Sequence, residues 1–238
     1  LIGINEIAKA LCYKLDYQWI AKDMLGVSES TEQVLEIEKF IEIHDDSKTN
    51  APISNDFLGE GIDGYLKDIE SDTQILLITG NAGVGKTKLG IEICKELKKK
   101  DYVIICVKSN GQEVYQDLKR FIDREQETVV FIDDVNLVSG FKAIFQLLNF
   151  NAKLRFIITC RAYSRNQIKS SLKDYNYKEL SPKLLNLENK CDLIKQFSAD
   201  DIHFNIVESI INIGQDNARL IVLAAILSKR KKDKLYET

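Results

Sequence analysis

Ile75-Leu76-Leu77-Ile78-Thr79-Gly80-Asn81-Ala82-Gly83-Val84-Gly85-Lys86-Thr87 decides the fold. A short apolar run rich in branched residues reads as a buried strand. The eight residues from Gly80 satisfy G-x-x-x-x-G-K-[ST] in full, and a helical pattern over 86–99 leaves them. The glycines let successive backbone N–H groups turn inward around phosphate, a curvature that side chains would obstruct. The following helix adds its positive N-terminal end. Lys86 is expected to reach the β- and γ-phosphates and the Thr87 hydroxyl to coordinate Mg²⁺. Gly80, Asn81, Ala82, Gly83, Val84, Gly85, Lys86 and Thr87 are therefore the candidate nucleotide-binding loop.

Working outward, Val103–Val107, Val129–Ile132 and Phe156–Thr159 are further apolar runs, separated by helical patterns near 112–124, 140–149 and 163–173. Continuous apolar strands alternating with helices predict an α/β fold, a parallel sheet covered by helices on both faces. Val129-Val130-Phe131-Ile132 ends in Asp133-Asp134. Two carboxylates at the end of a buried strand are costly unless the charge is used. Asp133 is expected to bind Mg²⁺, directly or through water, as a Walker B aspartate does. Asp134 could orient the attacking water or act as general base. Leu154–Arg161 likewise ends in polar residues. If strand 129–132 lies beside strand 75–79, Thr159 and Arg161 reach the same carboxyl edge, where open α/β sheets bind ligands. Thr159 could then sense the γ-phosphate and Arg161 offset charge developing during transfer.

A second formal glycine motif, Gly59-Glu60-Gly61-Ile62-Asp63-Gly64, has no strand before it to aim a dinucleotide turn. It reads as an approach loop into a helix. Ile4, Ile7, Leu11, Leu15 and Trp19 form one apolar helical stripe, and Ser30 with Gln33 is a capping-box signature opening a second helix at Val34. A polar stretch from His44 to Asp56 is the linker candidate. Leu187–Phe197, Ile202–Ile213 and Ala218–Leu227 read as helices. The predicted division is a helical appendage at 1–45 that carries no chemistry, a core at 55–182 and a helical lid at 183–238.

Composition bounds the partners. Thirty-three basic against thirty-six acidic residues leave a net charge of −3, which gives no overall pull toward nucleic acid or anionic membrane. The 45% hydrophobic content excludes wholesale disorder. Five scattered cysteines fit neither a disulfide framework nor a zinc site; Cys106 and Cys160 read as small buried thiols in a reducing, cytoplasmic setting. No apolar run is long enough to span a membrane. The chain begins at Leu1, and we expect it to be part of a longer polypeptide.

Together, Gly80–Leu89, Val129–Val135 and Leu154–Arg161 resemble the STAND class of P-loop NTPases, which includes the NB-ARC and NACHT groups. Leu184–Leu187 resembles the strand that leads into the lid of that class. Gly214-Gln215-Asp216-Asn217-Ala218-Arg219-Leu220 lacks the lid proline of NB-ARC proteins and is more similar to the G-N-x-R-L segment of other prokaryotic members. That likeness puts Arg219 at a sensor-2-like, nucleotide-contacting position; a solvated first-turn residue is the other reading. The resemblance implies an ATP/ADP-dependent switch that hydrolyses slowly, self-associates in the ATP state and sits between effector and sensor domains. Many prokaryotic relatives act in antiviral defence. Two alternatives stand beside it: an AAA-like ATPase of DNA metabolism, drawing on Lys98–Lys100 and Lys229–Lys232, and a nucleotide-binding module without turnover.

Overall fold

In the computed structural model, the described residues are 3–14, 17, 20–26, 32–47, 50–53, 56–59, 61–198 and 202–236. Their strands are β1 (Val34–Leu35), β2 (Ile75–Gly80), β3 (Val103–Val107), β4 (Thr128–Ile132), β5 (Leu154–Arg161) and β6 (Tyr177–Leu180). They form one sheet in the order β1-β3-β4-β5-β2-β6, parallel throughout except for the antiparallel edge strand β1. The order corrects one premise. Strand β4 does not lie beside β2; β5 runs between them and pairs with both. Thr159 and Arg161 reach the carboxyl edge nonetheless, because β5 is central.

Strand alternation divides the core. Ile75 and Leu77 of β2 point into one cluster with Ile105, Val130, Phe156 and Ile158. On that face lie α5 (Tyr115–Phe121), α6 (Phe141–Ile144) continued by a 3-10 turn, and α7 (Arg165–Ser171). Leu76 and Ile78 point the other way, into a cluster with Cys106, Phe131 and Ile157. That face is covered by α2 (Ile37–Asp45), α3 (Asp63–Glu70) and α4 (Lys86–Lys98). Both faces are therefore apolar, which is why the strands read as continuous hydrophobic runs. Cys106 and Cys160 are fully buried among them, as small thiols can be.

Departures from expectation concentrate at the ends. Helix α1 (Ile4–Leu11) is followed by a π-helical turn over Ile20–Met24. Leu15, Trp19, Ser30, Glu60 and several linker residues lie outside the described residues. Val34 and Leu35 do not open a helix; they add β1 to the sheet edge, opposite Val107 and Cys106. Ile37 and Phe40 of α2 are buried, Phe40 edge-on to Phe131 with ring centroids 5.5 Å apart. Residues 34–45 are thus built into the core by packing, although they lie within the expected appendage. Strand β6 had no clear apolar signal because it is an edge strand, half-exposed at Tyr177 and Leu180. The strand expected at Leu184–Leu187 does not form among the described residues; Asn186, itself extended, caps α8 (Leu187–Phe197), accepting from Asn189 N at 2.8 Å. Helices α9 (Phe204–Gly214) and α10 (Ala218–Tyr236) complete the lid around a separate small core of Ile194, Ile210, Ile221 and Ala225. No described helix is long and apolar enough to cross a membrane.

Candidate functional site

The phosphate loop turns where its glycines permit it. Gly83 and Gly85 adopt φ of +80° and +96°, the left-handed region that other residues rarely enter. Gly85 then starts α4, its carbonyl accepting from Leu89 N at 2.9 Å. Lys86 is buried, and its ammonium donates to the Asn81 carbonyl at 2.9 Å. Burial pulls the Lys86 ammonium below the ordinary lysine value, while the Asp134 and Asp133 carboxylates oppose that shift. Among the described residues this cation makes no ion pair, and a phosphate would supply one.

Sheet register assembles the acidic side. Ile132 of β4 pairs with Ile158 of β5, so Asp133 comes level with Thr159, and Gly80 pairs with Arg161 across β2. Asp133 Oδ1 accepts from the Thr87 hydroxyl at 2.9 Å and from the Thr159 hydroxyl at 2.7 Å. Burial raises the Asp133 carboxyl above the usual range; the Thr159 and Thr87 hydroxyls counter this, and Asp134 adds to it. Asp134 has φ +46°, a region that Asp enters more readily than most residues, and this turn aims its side chain back toward β5. Arg161 clamps it there, donating to Asp134 Oδ2 from Nε at 3.2 Å and Nη2 at 3.1 Å. The same pairing holds the Arg161 guanidinium above its ordinary value.

Thr159 is the residue whose placement differs from its expected use. It is fully buried; its hydroxyl donates to Asp133 and accepts from Asp134 N at 2.7 Å. Occupied on both sides, it positions the acidic pair rather than facing the cavity. Gly80 lies back at the end of β2, and Asn81 contributes its carbonyl to Lys86.

Ala82–Thr87, Asp133, Asp134 and Arg161 line one cavity of about 300 Å³. The lid closes it. Asn217 Nδ2 donates to Ala82 O at 3.3 Å, Arg219 N donates to Gly83 O at 3.2 Å, and the Arg219 side chain lines the cavity. Arg219 therefore borders the same cavity as the phosphate loop. Sequence reasoning missed the opposite wall. His44, Pro52, Phe57 and Leu58 line it, so one residue of the expected appendage, His44, reaches the cavity. The polar linker is held in place by its own side chains: Asp45 Oδ1 accepts from Ile53 N at 2.7 Å, and Asn50 Nδ2 donates to His44 O at 3.2 Å. The one advance signal was the glycine-rich approach loop, since Gly59 is also part of the lining.

Behind the loop, Glu179 of β6 buttresses the end of β2. It accepts from Thr79 Oγ1 at 3.1 Å, from Lys169 Nζ at 3.0 Å and from Arg165, whose Nη2 is at 2.9 Å. Arg165 above all lowers the Glu179 carboxyl from 4.5 to about 2. A depressed acid stabilises the fold fully above its unfolded value and loses that contribution as pH falls through the folded one. Glu179→Gln should therefore lower the urea midpoint modestly at pH 7. The gap between variant and parent should close as pH is taken from about 4.5 toward 2; a gap independent of pH would contradict the charge account.

Thr87 and Asp133 offer hard oxygen donors that already converge within hydrogen-bond distance, a donor set that fits Mg²⁺ alongside phosphate oxygens. No cluster of three or more His, Cys, Asp or Glu side chains occurs among the described residues, so an ion here would depend on the nucleotide for further ligands.

Comparison with known proteins agrees with this geometry. The family novel STAND NTPase 3 matches residues 65–136. No protein of curated function matches the chain. Among solved structures, a mutant of Thermotoga maritima RuvB superposes with a TM-score of 0.54 at 18% identity, over 74% of this chain and 62% of that one. A Walker-type ATPase of Pyrococcus abyssi gives 0.51 at 13% identity, over 74% and 71%. The Saccharomyces cerevisiae Hsp104–ADP complex gives 0.56 at 10% identity, over 87% of this chain and 35% of that one. The chain thus spans under two thirds of the RuvB chain, and at these identities the likeness is one of fold. The family match is more specific, because residues 65–136 take in both the phosphate loop and the acidic pair: over that segment the chain is similar to the novel STAND NTPases, and its fold is that of P-loop ATPases.

Proposed function

We propose that the protein is an ATP-binding, slowly hydrolysing, Mg²⁺-dependent switch, the NTPase module of a larger prokaryotic signalling or defence protein. The observation that carries this reading is the direct joint between lid and phosphate loop, Asn217 to Ala82 and Arg219 N to Gly83. The start of α10 rests on the carbonyls of the loop whose N–H groups would hold phosphate. Filling the loop must therefore alter the footing of the lid. For nucleotide to drive a change, ATP must bind one lid position more tightly than the other, and this joint is where such a difference can arise.

In this reading Lys86 grips the terminal phosphates, and Thr87 with Asp133 would hold Mg²⁺. A bound Mg²⁺ would neutralise charge on the phosphate oxygens. Asp134, held by Arg161, orients or deprotonates the attacking water. Arg161 is long enough to exchange part of its contact with Asp134 for the γ-phosphate and so register its presence. Arg161→Ala should leave ADP affinity within about twofold and reduce turnover by about 10-fold or more, the scale of one charge-assisted contact. Isothermal titration with ADP and a steady-state phosphate assay measure the two arms; equal losses of ADP and ATP affinity would contradict the sensing role. The switch itself is tested by sizing the protein with ADP and with a non-hydrolysable ATP analogue. Self-association is expected with the analogue only, and identical behaviour in both would count against a switch.

The DNA-metabolism alternative loses one of its supports. Lys98, Lys99 and Lys100 pair with Glu38, Glu96 and Glu70, so that run offers little uncompensated charge to phosphate backbones. A steeply salt-dependent DNA affinity would restore it.

A further inference from the structure

The cavity has a charged half around the phosphate loop, with Lys86, Asp133, Asp134 and Arg161. Its other half lies between the approach segment and the lid. Phosphates seated on the loop leave this second half to the nucleoside. Pro52, Phe57 and Leu58 form one wall of it. The described residues of that wall, 50–53 and 56–59, contain no helix or strand, so the wall stands where other elements hold it.

Ile53 is where it is held. The Ile53 side chain is buried in the core cluster that α4 also fills. Its N–H donates to Asp45 Oδ1 of α2 at 2.7 Å, and its carbonyl accepts from Lys88 Nζ of α4 at 2.9 Å. Lys88 directly follows Thr87, the last residue of the phosphate loop. One side chain thus joins the helix on which phosphate would rest to the wall along which a nucleoside would lie.

Helix energetics do not account for a lysine here. Lys88 is the third residue of α4, whose first turn holds no acid, and a cation at the positive end of a helix is unfavourable. Its i,i+4 partner Glu92, at 2.9 Å, stands C-terminal to it, the weaker of the two orders, and Glu92 already pairs with Lys95 at 2.8 Å. The Lys88 side chain is only 18% exposed, and burial pulls its ammonium below the ordinary lysine value while Glu92 opposes that shift. A lysine that served only to add positive charge to the loop would face the phosphates. This one is turned to Glu92 and to the Ile53 carbonyl, which lies outside the helix.

We propose that Lys88 is a positioning residue for the nucleoside part of the ligand: it fixes the approach wall to the phosphate-loop helix and so sets how tightly a nucleoside attached to the phosphates is held. The assignment rests on the nucleotide reading above and adds to it a residue that acts on the nucleoside without touching the phosphates.

The test titrates ATP and inorganic tripolyphosphate, each with Mg²⁺, into the whole chain. Tripolyphosphate offers the phosphates and no nucleoside. Unaltered protein should bind ATP at least about 10-fold more tightly than tripolyphosphate. Lys88→Met keeps the apolar stem and removes the donor. It should weaken ATP about 10-fold, the scale of one hydrogen bond to a charged group, and leave tripolyphosphate within about twofold. Equal weakening of both ligands would show that Lys88 acts through charge on the phosphates or through α4 itself, and would overturn the proposal. So would an ATP affinity that the substitution leaves unchanged. Equal affinity of the unaltered protein for ATP and tripolyphosphate would overturn it without any variant, and that arm stands even if Lys88→Met folds poorly. Each of these outcomes leaves the phosphate-loop reading intact. Binding of neither ligand would defeat that reading, and this proposal with it.

Discussion

Lys86→Ala is expected to weaken ATP binding about 100-fold while the protein keeps its fold. Two charge-assisted contacts, to the β- and γ-phosphates, are removed together, and hydrogen bonds to charged groups contribute roughly 1.5–3 kcal/mol each. Among the described residues Lys86 has the Asn81 carbonyl as its hydrogen-bond partner, and burial already disfavours its charge. The cation is thus held for a ligand more than for the fold. Removing it should shift the melting temperature by no more than about 3 °C, the equivalent of ~1 kcal/mol in a domain of this size. Calorimetric titration and thermal melts of the same sample measure both. Unchanged ATP affinity would sink the phosphate-loop assignment, and a collapse of the melting temperature would mean that Lys86 serves the fold instead.

Asp133→Asn should separate chemistry from stability in the same way. Asparagine retains an oxygen for the Thr87 and Thr159 hydroxyls, so the hydrogen-bonded corner at 2.9 and 2.7 Å can persist. What goes is the negative charge that would hold Mg²⁺. Turnover is expected to fall about 100-fold or more, because charge neutralisation by the ion contributes several kcal/mol to phosphoryl transfer. ATP affinity should also cease to depend on Mg²⁺, which titrations with and without the metal would reveal. The fold should be unharmed or slightly firmer, since burial makes the ionised carboxyl costly, as its raised value shows. Retained Mg²⁺ dependence in this variant would remove Asp133 from the metal site.

Much of this site could be read from the residues, and the reason is local. Gly83, Gly85, Lys86 and Thr87 work through backbone geometry and side chains within a few positions of one another, so their spacing carries the chemistry. Asp133 and Asp134 stood out because charge at the end of an apolar strand needs a use. The approach segment was not legible as a wall of the cavity. His44, Asn50 and Pro52 look like any polar linker, and what orders them is a set of side-chain-to-backbone bonds, such as Asp45 to Ile53 N, that leave no pattern in sequence.

The division follows from range. Sequence by itself determined the phosphate loop, the acidic pair and the alternating strands and helices, because each depends on neighbours a few residues away. Only the tertiary structure decided that β5 runs between β2 and β4, that the Thr159 hydroxyl is taken up by the acidic pair, and that Val34 and Leu35 join the sheet. Those outcomes depend on which apolar surfaces meet. Hydrophobic burial is non-directional and favours many pairings almost equally, until the whole chain is packed at once.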